Sequence, residues 1–372
     1  VKILQLVTRN ELRGAEMFAA LLSNRLAQHG HEVCFAALYT CPYDTPRLPL
    51  NSEVNGVELG GRVKGRIEPG VWVALRRLAK QWRPDVVQAN AFHALKYAVL
   101  TKRLGGGRWP IVYRNISMAS NWIARPWQAW WGRWLFRSVA HVVSVSDASA
   151  ADLCQTYRFP ADRISTVRRG VEVPDSVDRH LARRRLAELI AFDQDDPILF
   201  HIGGFTAEKN HVGLLAAFRR IQQELPNSHL VLCGDGPLRE RVQNEVRQGG
   251  LERQVHLLGN RADAGDLLPA AELLLLTSHV EGIPGVVLEA AVRGVPSVST
   301  NVGAVREAVR DGETGVLVPD GDMPGLARAA CDLLADSVRR KAMGEAARSL
   351  VAGQHDLNDI VVKWERIYRL VL

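Results

Sequence analysis

Ser278-His279-Val280-Glu281-Gly282-Ile283-Pro284-Gly285-Val286-Val287-Leu288-Glu289-Ala290-Ala291 directly follows Glu272-Leu273-Leu274-Leu275-Leu276-Thr277. A short, unbroken apolar run of this kind reads as a strand buried on both faces, as in a parallel sheet covered by helices. Pro284 and Gly285 suit a helix start. The segment is therefore a loop at the carboxyl end of a strand, where ligands bind in open α/β sheets. Backbone N–H groups over Gly282-Ile283-Pro284-Gly285-Val286-Val287, with the positive end of the helix dipole, suit a phosphate. Glu281 precedes the helix and Glu289 lies about a turn inside it. A carboxylate matches two vicinal ribose hydroxyls, so this pair suits the sugar of a nucleotide beside its phosphates.

Outward from this segment the same alternation fills the chain. Val1-Lys2-Ile3-Leu4-Gln5-Leu6-Val7 reads as a strand, followed from Gly14 by Phe18, Leu21, Leu22 and Leu26 at helical spacing. Further strands are predicted at 31–38, 85–89, 110–114, 139–145 and 164–168, with helices near 71–82, 92–104, 124–137 and 147–157. The pattern breaks around Arg168-Arg169-Gly170-Val171-Glu172-Val173-Pro174, which places a linker at about 168–176. A charged helical stretch at 179–190 leads to a second series, with strands at 198–203, 229–233, 255–258, 273–277, 296–299 and 315–318. The chain thus reads as two α/β domains, each a doubly wound parallel sheet.

With 372 residues, 47% hydrophobic and 23% charged, the chain is long for one compact domain. No apolar stretch approaches the length of a membrane span, and no leader pattern opens the sequence. Its cysteines, Cys34, Cys41, Cys154, Cys233 and Cys331, are odd in number and scattered, against a disulfide framework or zinc site. A cytoplasmic location is the expectation. Residues 1–172 carry 24 Lys and Arg against 12 Asp and Glu, and residues 173–372 carry 23 against 28. The first half is basic (+12) and the second acidic (−5), so the first half attracts anionic partners.

A second segment, Phe200-His201-Ile202-Gly203-Gly204-Phe205-Thr206-Ala207-Glu208-Lys209-Asn210-His211, follows the first strand of the second series and opens a helix. Gly234-Asp235-Gly236-Pro237, Gly303-Ala304-Val305-Arg306-Glu307 and Asp311-Gly312-Glu313-Thr314-Gly315 complete an ordered set of turns over the second half. Together with the glutamates spaced by seven residues, embedded as S-x-x-E-G-x-P-x-x-x-L-E-A, these blocks resemble the family-four retaining glycosyltransferases of the GT-B fold. That resemblance implies two Rossmann-like domains facing across a cleft. Residues 1–170 form the acceptor side, joined by a C-terminal helix at 357–372 with the stripe Trp364, Ile367, Tyr368 and Val371. Residues 171–356 bind the donor.

The resemblance also implies roles. Lys209 stabilises the leaving diphosphate, Glu281 orients the donor sugar and Glu289 holds the ribose. The family often pairs the lysine with an arginine where this chain has Gly204, and Arg261 is a candidate substitute. Arg13-Gly14-Ala15-Glu16 resembles the family's glycine-rich turn, with Gly14 as its remaining glycine. Where relatives carry a first-domain histidine this chain has Arg114 and Asn115, and His93 is a candidate replacement. The implied partners are a nucleotide-diphosphate sugar, a glycan, lipid-linked or small-molecule acceptor, and an anionic membrane surface at the inner face of the cell membrane. No cofactor, metal or nucleic-acid partner is expected. A sugar-nucleotide epimerase of the same fold, or a degenerate nucleotide-sugar-binding protein, is the alternative.

Trp127, Trp130, Trp131 and Trp134 recur at i, i+3, i+4 and i+7 and form one helical stripe, flanked by Arg125, Arg133 and Arg137. Packing of that stripe on the sheet and docking of it on a membrane or acceptor are both compatible with the spacing.

Overall fold

Among the described residues the buried apolar runs become thirteen strands in two parallel sheets. The computed structural model describes residues 1–12, 14–41, 47–62 and 67–372. Arg13, in the expected glycine turn, lies outside the described residues. The chain divides into two units, Val1–Gly170 with Leu357–Leu372, and Val171–Asp356.

In the first unit, β1 (Lys2–Arg9), β2 (Glu32–Tyr39), β3 (Val54–Gly61), β4 (Val86–Asn90), β5 (Ile111–Asn115), β6 (His141–Ser144) and β7 (Ile164–Thr166) line up as β3-β2-β1-β4-β5-β6-β7. Every pairing is parallel, with Ile3 opposite both Val33 and Val86. Because side chains alternate along a strand, β1 feeds two layers. Ile3 and Val7 pack with Phe18 and Leu22 on one face, while Leu4 and Leu6 pack with Leu75 and Leu95 on the other. The terminal helix Leu357–Val371 joins the first of these layers through Ile360, Val361, Trp364, Ile367 and Tyr368. Each fully buried large side chain there contributes roughly 1.5–3 kcal/mol.

Strand β3 falls where the sequence reading placed no strand. Its sequence, Val54-Asn55-Gly56-Val57-Glu58-Leu59-Gly60-Gly61, carries turn residues, and it sits at the sheet edge with β2 as its neighbour. Gly61 is required by packing, because a Cβ there would lie 2.5 Å from the Tyr39 ring.

In the second unit, β8 (Ile198–Ile202), β9 (His229–Cys233), β10 (Val255–Gly259), β11 (Leu273–Leu276), β12 (Ser297–Thr300) and β13 (Gly315–Val318) line up as β10-β9-β8-β11-β12-β13. Both sheets are the doubly wound kind. Strand order reverses between β1 and β4 in the first and between β8 and β11 in the second, and such reversals open a crevice at the carboxyl ends of the strands.

Candidate active site

The loops after β8 and β11 flank the reversal in the second sheet, and they carry Lys209 and Glu281. Lys209 Nζ donates to Glu281 Oε1 at 2.5 Å, and Ser278 Oγ donates to the same oxygen at 2.7 Å. The glutamate side chain is 9% exposed and the lysine 24%, so the pair sits at the floor of the site with the cation nearer solvent.

Both loops are stitched together by their own backbones. Buried Thr277 shares its hydroxyl proton between Lys209 O at 3.1 Å and Asn210 O at 3.2 Å, and His279 N donates to Glu208 O at 2.7 Å. Thr300 Oγ1 donates to Ser278 O at 2.6 Å from the neighbouring strand β12. Asn210, in the left-handed region at φ 51°, caps the helix His211–Glu224 by accepting from Gly213 N at 3.1 Å. Gly303, at φ 54°, touches the other loop so closely that a Cβ would lie 1.8 Å from Glu281 O. This turn thus holds one loop against the next. Gly234 has the same role, 2.0 Å from Gly203 O at its hypothetical Cβ.

Beneath the pair lie two histidines that sequence reading passed over. His201 and His211 are buried, with ring centroids 4.8 Å apart and edge to face. His201 Nδ1 lies 2.9 Å from Leu275 O, so that nitrogen carries the proton and Nε2 keeps a bare lone pair with no partner. Burial, then the neighbouring His211, brings His201 down to about 3; burial, then Lys209, brings His211 down to about 4. Both rings are neutral at physiological pH and leave Lys209 as the cation of this corner. Their signal in sequence was only that each flanks the glycine loop.

Around the pair, Gly282 is exposed, while Ile283, Pro284, Gly285 and Val287 are buried and Val286 half-buried. Pro284 stands before the helix Gly285–Ala291, of which Gly285 is the first residue and Glu289 the fifth. Arg293 Nη1 donates to Glu289 O at 3.0 Å. Gly204 borders open space, since the nearest atom to a Cβ there is Asp235 O at 3.6 Å. Arg261 is gripped by Asp263 through two bonds of 2.8 and 2.7 Å, which raises its pKa and offsets its charge.

In the first unit Gly14 opens the helix Gly14–Gln28, and a Cβ on it would lie 3.1 Å from Arg169 Nη1. Arg114 is buried beneath that turn, donates to Ala15 O at 3.0 Å and lies 4.2 Å over the Phe18 ring. Burial, then Arg169, brings its pKa down to about 9. Asn115 is also buried and donates to Ser144 Oγ at 3.2 Å and Ser149 O at 3.0 Å. Both brace neighbouring elements, Arg114 the helix Gly14–Gln28 and Asn115 strand β6 and the helix Asp147–Tyr157. His93 is the third residue of the helix Ala91–Gly105, after β4, and is half-buried. Among the described residues no group of three or more His, Cys, Asp or Glu stands ready to hold a metal ion.

Residues 12–174 match the family described as Glycosyltransferase Family 4, and residues 183–350 match glycosyl transferases group 1. The chain belongs to the family-four glycosyltransferases. The chain is 35% identical over 188 residues to the N-acetyl-alpha-D-glucosaminyl L-malate synthase of Bacillus anthracis, a match to 50% of this chain and 49% of that one. The chain thus matches about half the length of that relative. It is 27% identical to the alpha-D-kanosaminyltransferase of Streptomyces kanamyceticus, with 87% of each covered. The Anabaena HepE protein, solved in complex with UDP-glucose, shares its fold at a TM-score of 0.79 and 20% identity, with 98% of each chain covered. The GT-B fold of the family-four glycosyltransferases is therefore the fold of this chain.

Proposed function

We propose that this glycosyltransferase moves a sugar, with retention of anomeric configuration, from a nucleotide-diphosphate sugar to a glycan, lipid-linked or small-molecule acceptor in cell-surface polysaccharide or glycolipid synthesis. The observation that carries the reading is the Lys209–Glu281 contact, fixed by Thr277 and Ser278 at the strand-order reversal of the second sheet. The binding of UDP-glucose by HepE supports a uridine donor by fold alone.

In this reading Glu289 accepts two hydrogen bonds from the ribose and Glu281 accepts from hydroxyls of the donor sugar. The bond from the anomeric carbon to the diphosphate oxygen breaks, its electron pair goes to that oxygen, and Lys209 offsets the charge as it grows. The acceptor hydroxyl attacks the same face of the sugar and gives its proton to the departing diphosphate. In this reading the first unit recognises the acceptor, and a lipid-linked acceptor would bring the enzyme to the inner face of the cell membrane.

A thermal-shift screen of nucleoside diphosphates and their sugars, followed by NMR of the product, tests the proposal. Selective stabilisation by one donor, slow donor hydrolysis without acceptor and an unchanged anomeric configuration are the expected results. Isomerisation of the donor, saturable binding without turnover, or an inverted product would contradict it.

A further inference from the structure

From Val86 through Ser146 the chain has no Asp or Glu, yet it carries eight Lys or Arg and six of the nine tryptophans. The structure divides the tryptophan stripe. Trp131 and Trp134 are half-buried against the core and stack with centroids 4.9 Å apart, whereas Trp127 and Trp130 face outward at 59% and 67% exposure. Trp122, in the segment after β5, is 72% exposed and Met118 is exposed as well. An indole has a large apolar body, and several left in water on one short segment call for a cover.

The exposure does not arise from a loosely held helix. Pro126–Phe136 is anchored on its inner side, where Gly132 lies so close to Tyr157 that a Cβ would be 2.2 Å from the ring. Arg103 lies 4.1 Å over the Trp134 ring and donates to Ser138 Oγ at 2.7 Å. At the carboxyl end of the same helix, Arg137 joins Lys102, Arg108 and Arg163 around a cavity of about 520 Å³. Arg125 is exposed at the other end. The helix indoles and the cation-walled cavity therefore stand roughly 10–15 Å apart along one helix that carries no Asp or Glu.

We infer that this face, made of Trp122, Trp127 and Trp130 with Arg137 and Arg108, docks on an anionic lipid bilayer, with the helix lying along the membrane plane. Indoles enter the headgroup layer beside Met118, and the guanidinium groups of the cavity meet lipid phosphates. The charge complementarity is largely one-sided, because this segment has no carboxylate of its own, and Asp152 of the neighbouring helix, which reaches the face beside Trp122, is engaged by Ser120 N at 3.0 Å. A nucleic acid fits less well, since it requires cations interleaved with stacking rings along one groove. The inference rests on the proposed function only in giving its lipid-linked acceptor a membrane address. The face lies on the unit that carries Gly14 and His93, and its indoles follow β5 at the same sheet edge.

The test is co-sedimentation of the full chain with phosphatidylcholine vesicles, with and without phosphatidylglycerol, at low and high salt. Binding to the anionic vesicles alone is expected, weakened roughly tenfold or more by salt. Replacing Trp122, Trp127 and Trp130 together by Ser should weaken it by a similar factor, as should Arg108→Glu with Arg137→Glu. Melting temperature and vesicle-free donor hydrolysis should stay unchanged in both variants. No binding at low salt, full binding by the tryptophan variant, or tighter binding to a single-stranded RNA probe than to the anionic vesicles would each overturn the inference. Absence of donor hydrolysis in the parent protein would instead fault the proposed function and leave the vesicle result standing.

Discussion

At the carboxyl edge of the second sheet, Lys209 and Glu281 are aimed at each other from the loops after β8 and β11 and stay within reach of solvent. At the same edge of the first sheet, Arg114 and Asn115 at the end of β5 turn inward, where Arg114 holds the Gly14 helix and Asn115 the helix Asp147–Tyr157 that follows β6. One fold, with its strand order reversed at the same point, thus keeps charge available in one unit and uses it for bracing in the other. The difference lies in who satisfies whom. In the second unit, hydroxyls and backbone groups of Thr277, His279 and Thr300 stitch the loops, so the charged side chains are left for a ligand. In the first, charged and amide side chains do the stitching, and the exposed surface beyond β5 combines indoles with arginines.

If the second unit is the charged workplace, the largest loss of donor binding follows from Glu289→Ala. Removing two charge-assisted hydrogen bonds from a partly desolvated site should raise the donor dissociation constant by at least about tenfold. The matching change in the first unit, Asn115→Ala, should leave donor binding intact and lower the melting temperature. Calorimetric titration of both variants checks the contrast, and equal donor affinity in the Glu289 variant and the parent would break it.

Glu281→Gln sharpens the same comparison. With the carboxylate gone, Lys209 is released from its 2.5 Å contact and a like charge no longer faces the diphosphate. Affinity for the nucleoside diphosphate without sugar should therefore rise by roughly threefold to tenfold, although transfer is lost. Weaker diphosphate binding by this variant would mean that the lysine is not held in reserve.

Gly204→Arg asks whether open space beside the loop can take a second cation. A side chain meets nothing closer than 3.6 Å there at its first carbon, so the fold should hold. Donor affinity should rise by about threefold, and a fall would show that the space is needed by the ligand itself.

The smallest expected effect concerns acid. His201, His211 and His256 in the second unit are held below their ordinary value of 6.5, at about 3, 4 and 4, chiefly by burial. Unfolding lets them take up protons, so their share of stability is complete above pH 6.5 and falls as pH drops towards 4. In the first unit His141 is also held below 6.5, by burial and then Arg163, and Glu365, bonded to His29 and His31, is held below its ordinary value of 4.5, so fewer groups there lose stability at pH 5. Hydrogen exchange at pH 5 should therefore show the second unit opening before the first. The reverse order would contradict these assignments.

Much of this architecture was legible in the sequence because buried parallel strands are nearly pure apolar runs. Leu273–Leu276 is the extreme case, and it located both the sheet and the loop of Glu281. Strand β3 was not legible, because an edge strand needs few apolar residues and its glycines serve packing against Tyr39. The placing of Lys209 and Glu281 in loops after strands could be read, while the roles proposed for them came from the family resemblance. Their mutual contact could not, nor could the part played by Thr277 and His201, since spacing in one dimension says nothing of bonds between loops separated by some seventy residues. The tryptophan period gave a stripe but not its division, which depends on how the helix is rolled against Tyr157.

The central claim is that Lys209 acts on the leaving diphosphate, and rapid-mix turnover with Lys209→Ala under saturating donor tests it most directly. Since leaving-group charge grows towards the transition state, kcat should fall about 100-fold or more while the donor dissociation constant changes by less than about tenfold. A loss confined to KM, with kcat unchanged, would show that the lysine merely holds the ground state and would contradict the account.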